Sequence, residues 1–226
     1  MQYDPIKKGL GIFFNRSPRL RILFYRLQNL LLLRAWYIKK ELKKFRDHNP
    51  ESVHILDAGS GFGQYSYYMV CLSEKWKIKG VDVKSEQIED CNIFFKKIGK
   101  NNRVHFEIAD LTKFNEQDVY HLILCVDVME HIVEDVKVFR NYVRALQNGG
   151  MVLISTPSDR GGSDVHNDND ESFIEEHVRE GYSMAEIEEK LSIAGFININ
   201  SRYSYGTPGK IAWKISMKYP ITMINR

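Results

Sequence analysis

The chain has 226 residues, 43% of them hydrophobic and 27% charged, with a formal net charge of +3. That balance suits one substantial buried core with a small appendage and excludes a disordered or low-complexity chain. The longest apolar run, Leu30 to Leu33, is cut by Arg34 and is far too short to span a bilayer.

The charge is unevenly spread. Residues 1–46 hold twelve Lys or Arg against two acids, about +10, which leaves about −7 for the remainder. A basic arm on an acidic body is the expectation. Cys71, Cys91 and Cys125 lie far apart in apolar contexts and are expected to be reduced, mostly buried thiols. No secretory leader pattern is visible, since Asp4 stands among the first residues. These features predict a cytoplasmic location.

In chain order, residues 1–18 are basic and irregular. Residues 19–45 show helical spacing through Leu20, Phe24, Leu27, Leu31, Ala35, Ile38, Leu42 and Phe45, which predicts one inner face. Arg21, Arg26, Arg34 and several lysines are expected on the other sides. Such helices are expected to pack on the core and roof a substrate site. A basic surface that also touches anionic lipid at the inner face of a membrane is the alternative. Nucleic acid is not expected, because exposed aromatics do not interleave the cations.

Residues 53–58 form an apolar, partly β-branched run containing Asp57, followed by Gly59-Ser60-Gly61-Phe62-Gly63 and a helical stretch. This predicts a buried strand, a tight glycine turn and a helix start. Glycine there tolerates positive φ and lets a ligand lie against the backbone. The helix start favours a negatively charged group. Gln64 stands where the dinucleotide fingerprint requires its third glycine, which argues against a nicotinamide or nucleotide-sugar enzyme. With its acid two residues before the first glycine, the motif resembles that of the class I S-adenosylmethionine (SAM) methyltransferases. The resemblance implies that Asp57, Gly59, Ser60, Gly61 and Gly63 form the turn that receives the amino-acid end of SAM.

Residues 77–82 predict a second strand ending in Asp82, which lies about twenty residues past the glycines, the spacing of a ribose-binding acid. The resemblance implies that Asp82 binds the SAM ribose, with Val83 beside it. Residues 85–98 predict a helix opened by Ser85 and stopped by Gly99. Residues 104–110 predict a third strand; by resemblance Asp110 and Leu111 read the adenine. Residues 120–132 predict a fourth strand and its exit, Asp127-Val128-Met129-Glu130-His131-Ile132. This exit resembles that of small-molecule methyltransferases of quinone biosynthesis, and Asp127 joins the cofactor residues by the same resemblance. The signature of exocyclic-amino methyltransferases is absent. A helix at 135–146 and a fifth strand at 151–155 follow.

Residues 159–172 are polar, with a D-x-H-x-D-x-D pattern. They lack the glycine and distant glutamate of a calcium loop, so a solvated loop or a lid over the acceptor is expected and no metal. Ser183 and Glu186 form a capping box for a helix ending at Gly195. Residues 196–205 alternate apolar and polar, as a late antiparallel strand does. The resemblance covers residues 50–205.

The expectation is therefore an α/β, Rossmann-like, doubly wound and mostly parallel sheet, seven-stranded by resemblance, with helices on both faces. An N-terminal helical extension (1–48), a SAM-binding domain (49–205) and a basic aromatic tail (206–226) divide the chain. The implied activity is SAM-dependent methyl transfer to a small-molecule acceptor, lipid-like or aromatic, at oxygen or carbon. A SAM-binding regulatory module acting through its basic arm is the alternative. His131 and His177 are the candidate bases, because imidazole exchanges protons near neutral pH; Glu130 is a further candidate for ordering SAM or the base.

Overall fold

The computed structural model describes residues 17–49, 51–160, 178–179 and 181–204. Five parallel strands form one sheet in the order β3-β2-β1-β4-β5. They are β1 (Val53–Ala58), β2 (Trp76–Asp82), β3 (Val104–Ile108), β4 (Tyr120–Val126) and β5 (Leu146–Ser155). The helices are α1 (Pro18–Leu31), α2 (Leu33–His48), α3 (Gln64–Leu72), α4 (Ser85–Lys97), α5 (Asp135–Ala145) and α6 (Met184–Ala194). The strand order reverses direction between β1 and β4. In open α/β sheets that switch point is where ligands bind, outside the strands' carboxyl ends.

Alternate residues of each central strand feed different cores, because successive side chains point to opposite faces. Ile55 of β1 and Leu122 and Leu124 of β4 join Trp76, Met69 and Phe95 in one apolar cluster, to which α2 adds Ile38 and Leu42. Leu56, Ala58, Ile123 and Cys125 join Phe139, Tyr142 and Leu191 on the other side. A sheet covered on both faces explains why β1 and β4 read as nearly continuous apolar runs.

Several boundaries differ from expectation. The N-terminal helix is two helices, broken at Leu32, which is extended (φ −96°, ψ 110°). The break changes the helical phase. Ala35, Ile38 and Leu42 face inward as expected, but in α1 the buried residues are Arg21 and Tyr25, while Leu27 and Leu31 are exposed. Lys84, not Ser85, precedes the first residue of α4. The third strand stops at Ile108, and Asp110 instead caps a 3-10 turn (Leu111–Lys113) through a bond from the Thr112 N–H. β5 begins earlier than expected, at Leu146, and accommodates Gly149 at φ +79°.

Five of the expected seven strands are present among the described residues. The expected antiparallel strand does not form over 196–204. Asn198 there sits at φ +56°, which interrupts an extended run. Phe196 and Ile199 still pack on the second core. The capping box is half observed: the Glu186 N–H donates to Ser183 Oγ at 3.1 Å, a contact worth ~1 kcal/mol. Gly195 ends α6 at φ +108°. Cys91 and Cys125 are buried thiols, whereas Cys71 is exposed. Most of the polar loop, the tail and His177 lie outside the described residues.

Candidate functional site

The glycine turn is built on β2. The N–H groups of Gly59 and Ser60 both donate to the Val81 carbonyl, at 2.8 and 2.9 Å. Gly59, Gly61 and Gly63 have φ of 72°, 49° and 72°, a region that L side chains rarely enter. Their surroundings separate their roles. A Cβ on Gly59 would lie 2.2 Å from Val128 Cγ2, so β4's exit packs directly on the turn. A Cβ on Gly63 would press on Cys91, Phe95 and Phe106 at 3.2–3.3 Å. A Cβ on Gly61 would meet only Gln87 Oε1, at 3.9 Å. Gly61 thus presents an open backbone face, the cradle that a ligand lying against the loop requires.

Asp82 closes this turn. Its Oδ2 accepts from the Gly61 N–H and its Oδ1 from the Lys84 N–H, both at 3.0 Å. Each carboxylate oxygen keeps a further acceptor site, so Asp82 can hold the loop and a vicinal diol together. Val83, next in sequence, is 61% exposed and offers an apolar surface on the same edge. Leu111 is buried in the second core, so its side chain serves packing. Asp110 is half-exposed at the carboxyl edge of β3. The Thr112 hydroxyl and N–H, with the Lys113 charge, hold its carboxyl below the usual range.

Asp57 lies beneath the turn, fully enclosed. It accepts from the Ser66 hydroxyl of α3 at 2.6 Å. Burial pushes its carboxyl up to about 6, against that hydrogen bond. Its role is to tie β1 to α3.

The exit of β4 carries the second half of the site. Asp127 adopts φ 53°, and its N–H donates to the Ser155 carbonyl of β5 at 2.8 Å. Its carboxylate pairs with Arg34 of α2 at 2.9 Å. An N-terminal helix therefore does reach the strand carboxyl ends, as the expected roof would. Burial raises the Asp127 carboxyl, while Arg34 and His131 oppose. Glu130 is buried and accepts from the Thr156 hydroxyl at 3.1 Å. Burial, and then the Asp127 charge, push Glu130 up to about 7. His131 is exposed on the 3-10 turn Met129–His131. Among the two candidate histidines it is the described one, and it lies within electrostatic reach of both Asp127 and Glu130.

Other participants were not legible beforehand. Arg21 and Tyr25 of α1 both donate to the Phe62 carbonyl in the glycine turn, Arg21 Nη2 at 2.8 Å. Gln64 Nε2 donates to Asn29 Oδ1 at 3.0 Å. Asp135 receives Arg179, the Tyr182 hydroxyl at 2.9 Å and Lys190 Nζ at 2.7 Å on one oxygen. With the bond from the Tyr182 N–H to the Pro157 carbonyl at 3.0 Å, this hub fixes both ends of the chain excursion that follows β5. Burial opposes ionisation of Asp135, but those donors win and hold its carboxyl below the usual range.

A hollow of about 400 Å³ lies elsewhere, between α2 and the opposite ends of the strands, beside His48, His121 and Gly150. It is remote from the turn. Among the described residues, no cluster of His, Cys, Asp and Glu could hold a metal ion.

Comparison with known proteins bears on the family and the fold. Residues 50–205 match the family described as "Methyltransferase domain". Among curated relatives, the chain is 22% identical over 124 residues to a ubiquinone biosynthesis O-methyltransferase of Rickettsia akari, covering 55% of this chain and 48% of that protein. It is 32% identical over 104 residues to phosphoethanolamine N-methyltransferase 1 of Triticum aestivum, covering 45% and 20%. The chain thus spans about half of one relative and a fifth of the other. Among solved structures, the cyclase SpnF superposes with a TM-score of 0.56 at 19% identity, covering 69% of this chain and 57% of that one. That likeness concerns the fold alone. The family match extends over more than half of the sequence, the same 50–205 to which the motifs pointed, and the chain belongs to the methyltransferase-domain family.

Proposed function

We propose that the protein transfers a methyl group from SAM to a small-molecule acceptor. The observation that carries this reading is the open backbone face at Gly61, held by Asp82, at the carboxyl edge of parallel strands. Bound there, SAM would supply an already electrophilic methyl group, so the protein's task is placement. Asp57, Gly59, Ser60 and Gly63 shape the turn; Asp82 suits the ribose hydroxyls, and Val83 and Asp110 suit the adenine side. A mouth lined by Asp82, Asp110 and Asp127 favours a cationic ligand electrostatically. Holding methyl and acceptor in line and close can supply ~7–11 kcal/mol of barrier lowering.

The acceptor would enter beside Asp127, Glu130 and His131. A phenolic or enolic acceptor needs a base, worth typically ~10²–10⁴-fold. Glu130, whose carboxyl is pushed up to about 7, and the exposed His131 are the candidates for proton removal. An oxygen or carbon acceptor, aromatic or lipid-like, fits that pair. The relative named for ubiquinone O-methylation supports this choice; the one named for phosphoethanolamine N-methylation keeps an amine as the second reading.

Calorimetric titration with SAM tests the cofactor, with Asp82→Ala expected to weaken binding by the ~1.5–3 kcal/mol of a charge-assisted contact. Transfer of labelled methyl from SAM into fractionated extract then separates an enzyme from a SAM-binding regulatory module. SAM binding with no labelled product in any fraction would favour the module.

A further inference from the structure

The break at Leu32 leaves α1 with two faces of different kinds. Arg21 and Tyr25 point into the molecule, onto the Phe62 carbonyl. On the opposite side Arg19, Leu23, Arg26, Leu27 and Leu30 recur at spacings of three and four, which places them on one stripe, and all are exposed. Leu31 and, just past the break, Trp36 extend it. The five large apolar side chains of this surface are 42–65% exposed. Contiguous exposed leucine of this kind marks an interaction surface.

Three observations define the partner. First, α1 has three arginines and no acid over Pro18–Leu31, and it lies in the segment 1–46 of about +10 on a body of about −7. An anionic plane would attract the α1 side and repel the body, fixing the orientation. A second copy of the chain would instead bring Arg19 and Arg26 against like charges across a two-fold contact. Second, Trp36 is exposed yet held: its indole Nε1 donates to the Asn29 carbonyl at 2.7 Å. A fixed, half-exposed indole beside leucines and cations suits a membrane–water boundary. Third, no described helix is long and apolar enough to cross a bilayer, so the stripe can lie on a membrane without spanning it.

We infer that the outer face of α1, Leu23, Leu27, Leu30 and Leu31 with Arg19, Arg26 and Trp36, docks the protein reversibly on an anionic lipid surface. The inference stands independently of methyl transfer. Because the inner face of α1 grips the glycine turn, docking would hold the cofactor site close to the bilayer.

The test uses the full chain with vesicles of phosphatidylcholine, with and without phosphatidylglycerol. Co-sedimentation should retain the protein on the anionic vesicles at low salt, retain much less on the neutral ones, and release it as salt rises. The exposed double variant Leu27→Glu/Leu30→Glu should lower the partition coefficient at least ~tenfold, since it replaces apolar interfacial contacts with repelled charge. Its thermal unfolding and calorimetric SAM affinity should stay at wild-type values. Protein in the supernatant with both lipids at low salt overturns the inference. So does undiminished binding by the folded double variant. Concentration-dependent dimerisation, lost in that variant and without vesicle binding, would assign the stripe to a second copy and also overturn it.

Discussion

The guanidinium of Arg21 donates to the carbonyl of Phe62 at 2.8 Å, so the first described helix is bonded to the middle of the glycine turn forty-one residues later. The same guanidinium donates to the Tyr25 hydroxyl at 2.7 Å, the Asp90 carbonyl at 3.2 Å and Cys91 Sγ at 3.0 Å, and it stacks over Phe94 at 4.7 Å. Buried arginine is costly unless its donors are satisfied; here they bind α1, the turn and α4 together. Arg21→Met should therefore lower stability by about 1.5–3 kcal/mol, the value of hydrogen bonds to a charged group, and weaken SAM binding. Tyr25→Phe removes two bonds, the one its hydroxyl donates to the Phe62 carbonyl and the charge-assisted one it accepts from Arg21, and should cost about 1.5–3 kcal/mol. Wild-type melting together with wild-type SAM affinity in Arg21→Met would refute this clamp.

Gly59 and Gly61 should respond differently to substitution. Gly59→Ala forces a Cβ to 2.2 Å from Val128, an overpacking that typically costs ~1–3 kcal/mol beyond the backbone strain. It should be visible as a lower melting temperature. Gly61→Val meets no protein neighbour closer than 3.9 Å at its Cβ, so the protein should fold, with ~1–2 kcal/mol of left-handed strain. SAM binding should nevertheless be nearly abolished. Unchanged calorimetric affinity in folded Gly61→Val would overturn the placement of the cofactor.

Glu130 and Asp57 give a pH signature. Their folded carboxyls are pushed up to about 7 and about 6, above the unfolded values near ~4. Between those limits the folded state binds more protons than the unfolded one. Their stabilising contribution is therefore full at low pH and is lost as pH rises from about 4 to about 7. Glu130→Gln should be more stable than wild type at pH 8, with the advantage shrinking toward pH 5. Parallel unfolding curves at both pH values would show that Glu130 is charged throughout. If Glu130 is the base, the variant should also lower kcat at every pH without a matching change in SAM affinity.

Asp135 has the opposite sign. Its folded carboxyl is depressed by Lys190, Tyr182 and Arg179, so its contribution is present above the unfolded value and lost as pH falls through the folded one, below about 4. Asp135→Ala removes the shared carboxylate of two cations that are 17% and 24% exposed, leaving Lys190 with Glu186 at 2.8 Å and Arg179 with the Ile132 carbonyl. The cost should be about 3 kcal/mol, the low end for breaking a buried pair, because both cations keep another partner and some water. Faster hydrogen exchange at Tyr182 and along α6 would accompany it. Wild-type exchange there in the variant would show that the hub does not hold this segment.

The sequence by itself determined the sheet's central strands, the glycine turn, the acids at the strand ends and the stop at Gly195. These depend on local rules: apolar runs that suit a doubly covered strand, positive φ that glycine tolerates, and capping by Ser183. Only the tertiary structure decided which face of α1 turns inward. A 3.6-residue period continues through residues 19–45 as if the helix were unbroken, and one extended residue, Leu32, resets its phase. Local spacing therefore put Leu27 and Leu31 inside and Arg21 outside, whereas docking against the turn rewards donors for the Phe62 carbonyl and leaves the leucines exposed. The Arg34–Asp127 pair and the Asp135 hub were hidden for the same reason. Their partners lie tens of residues apart, and no periodicity records which charges will meet once the chain has closed around its sheet.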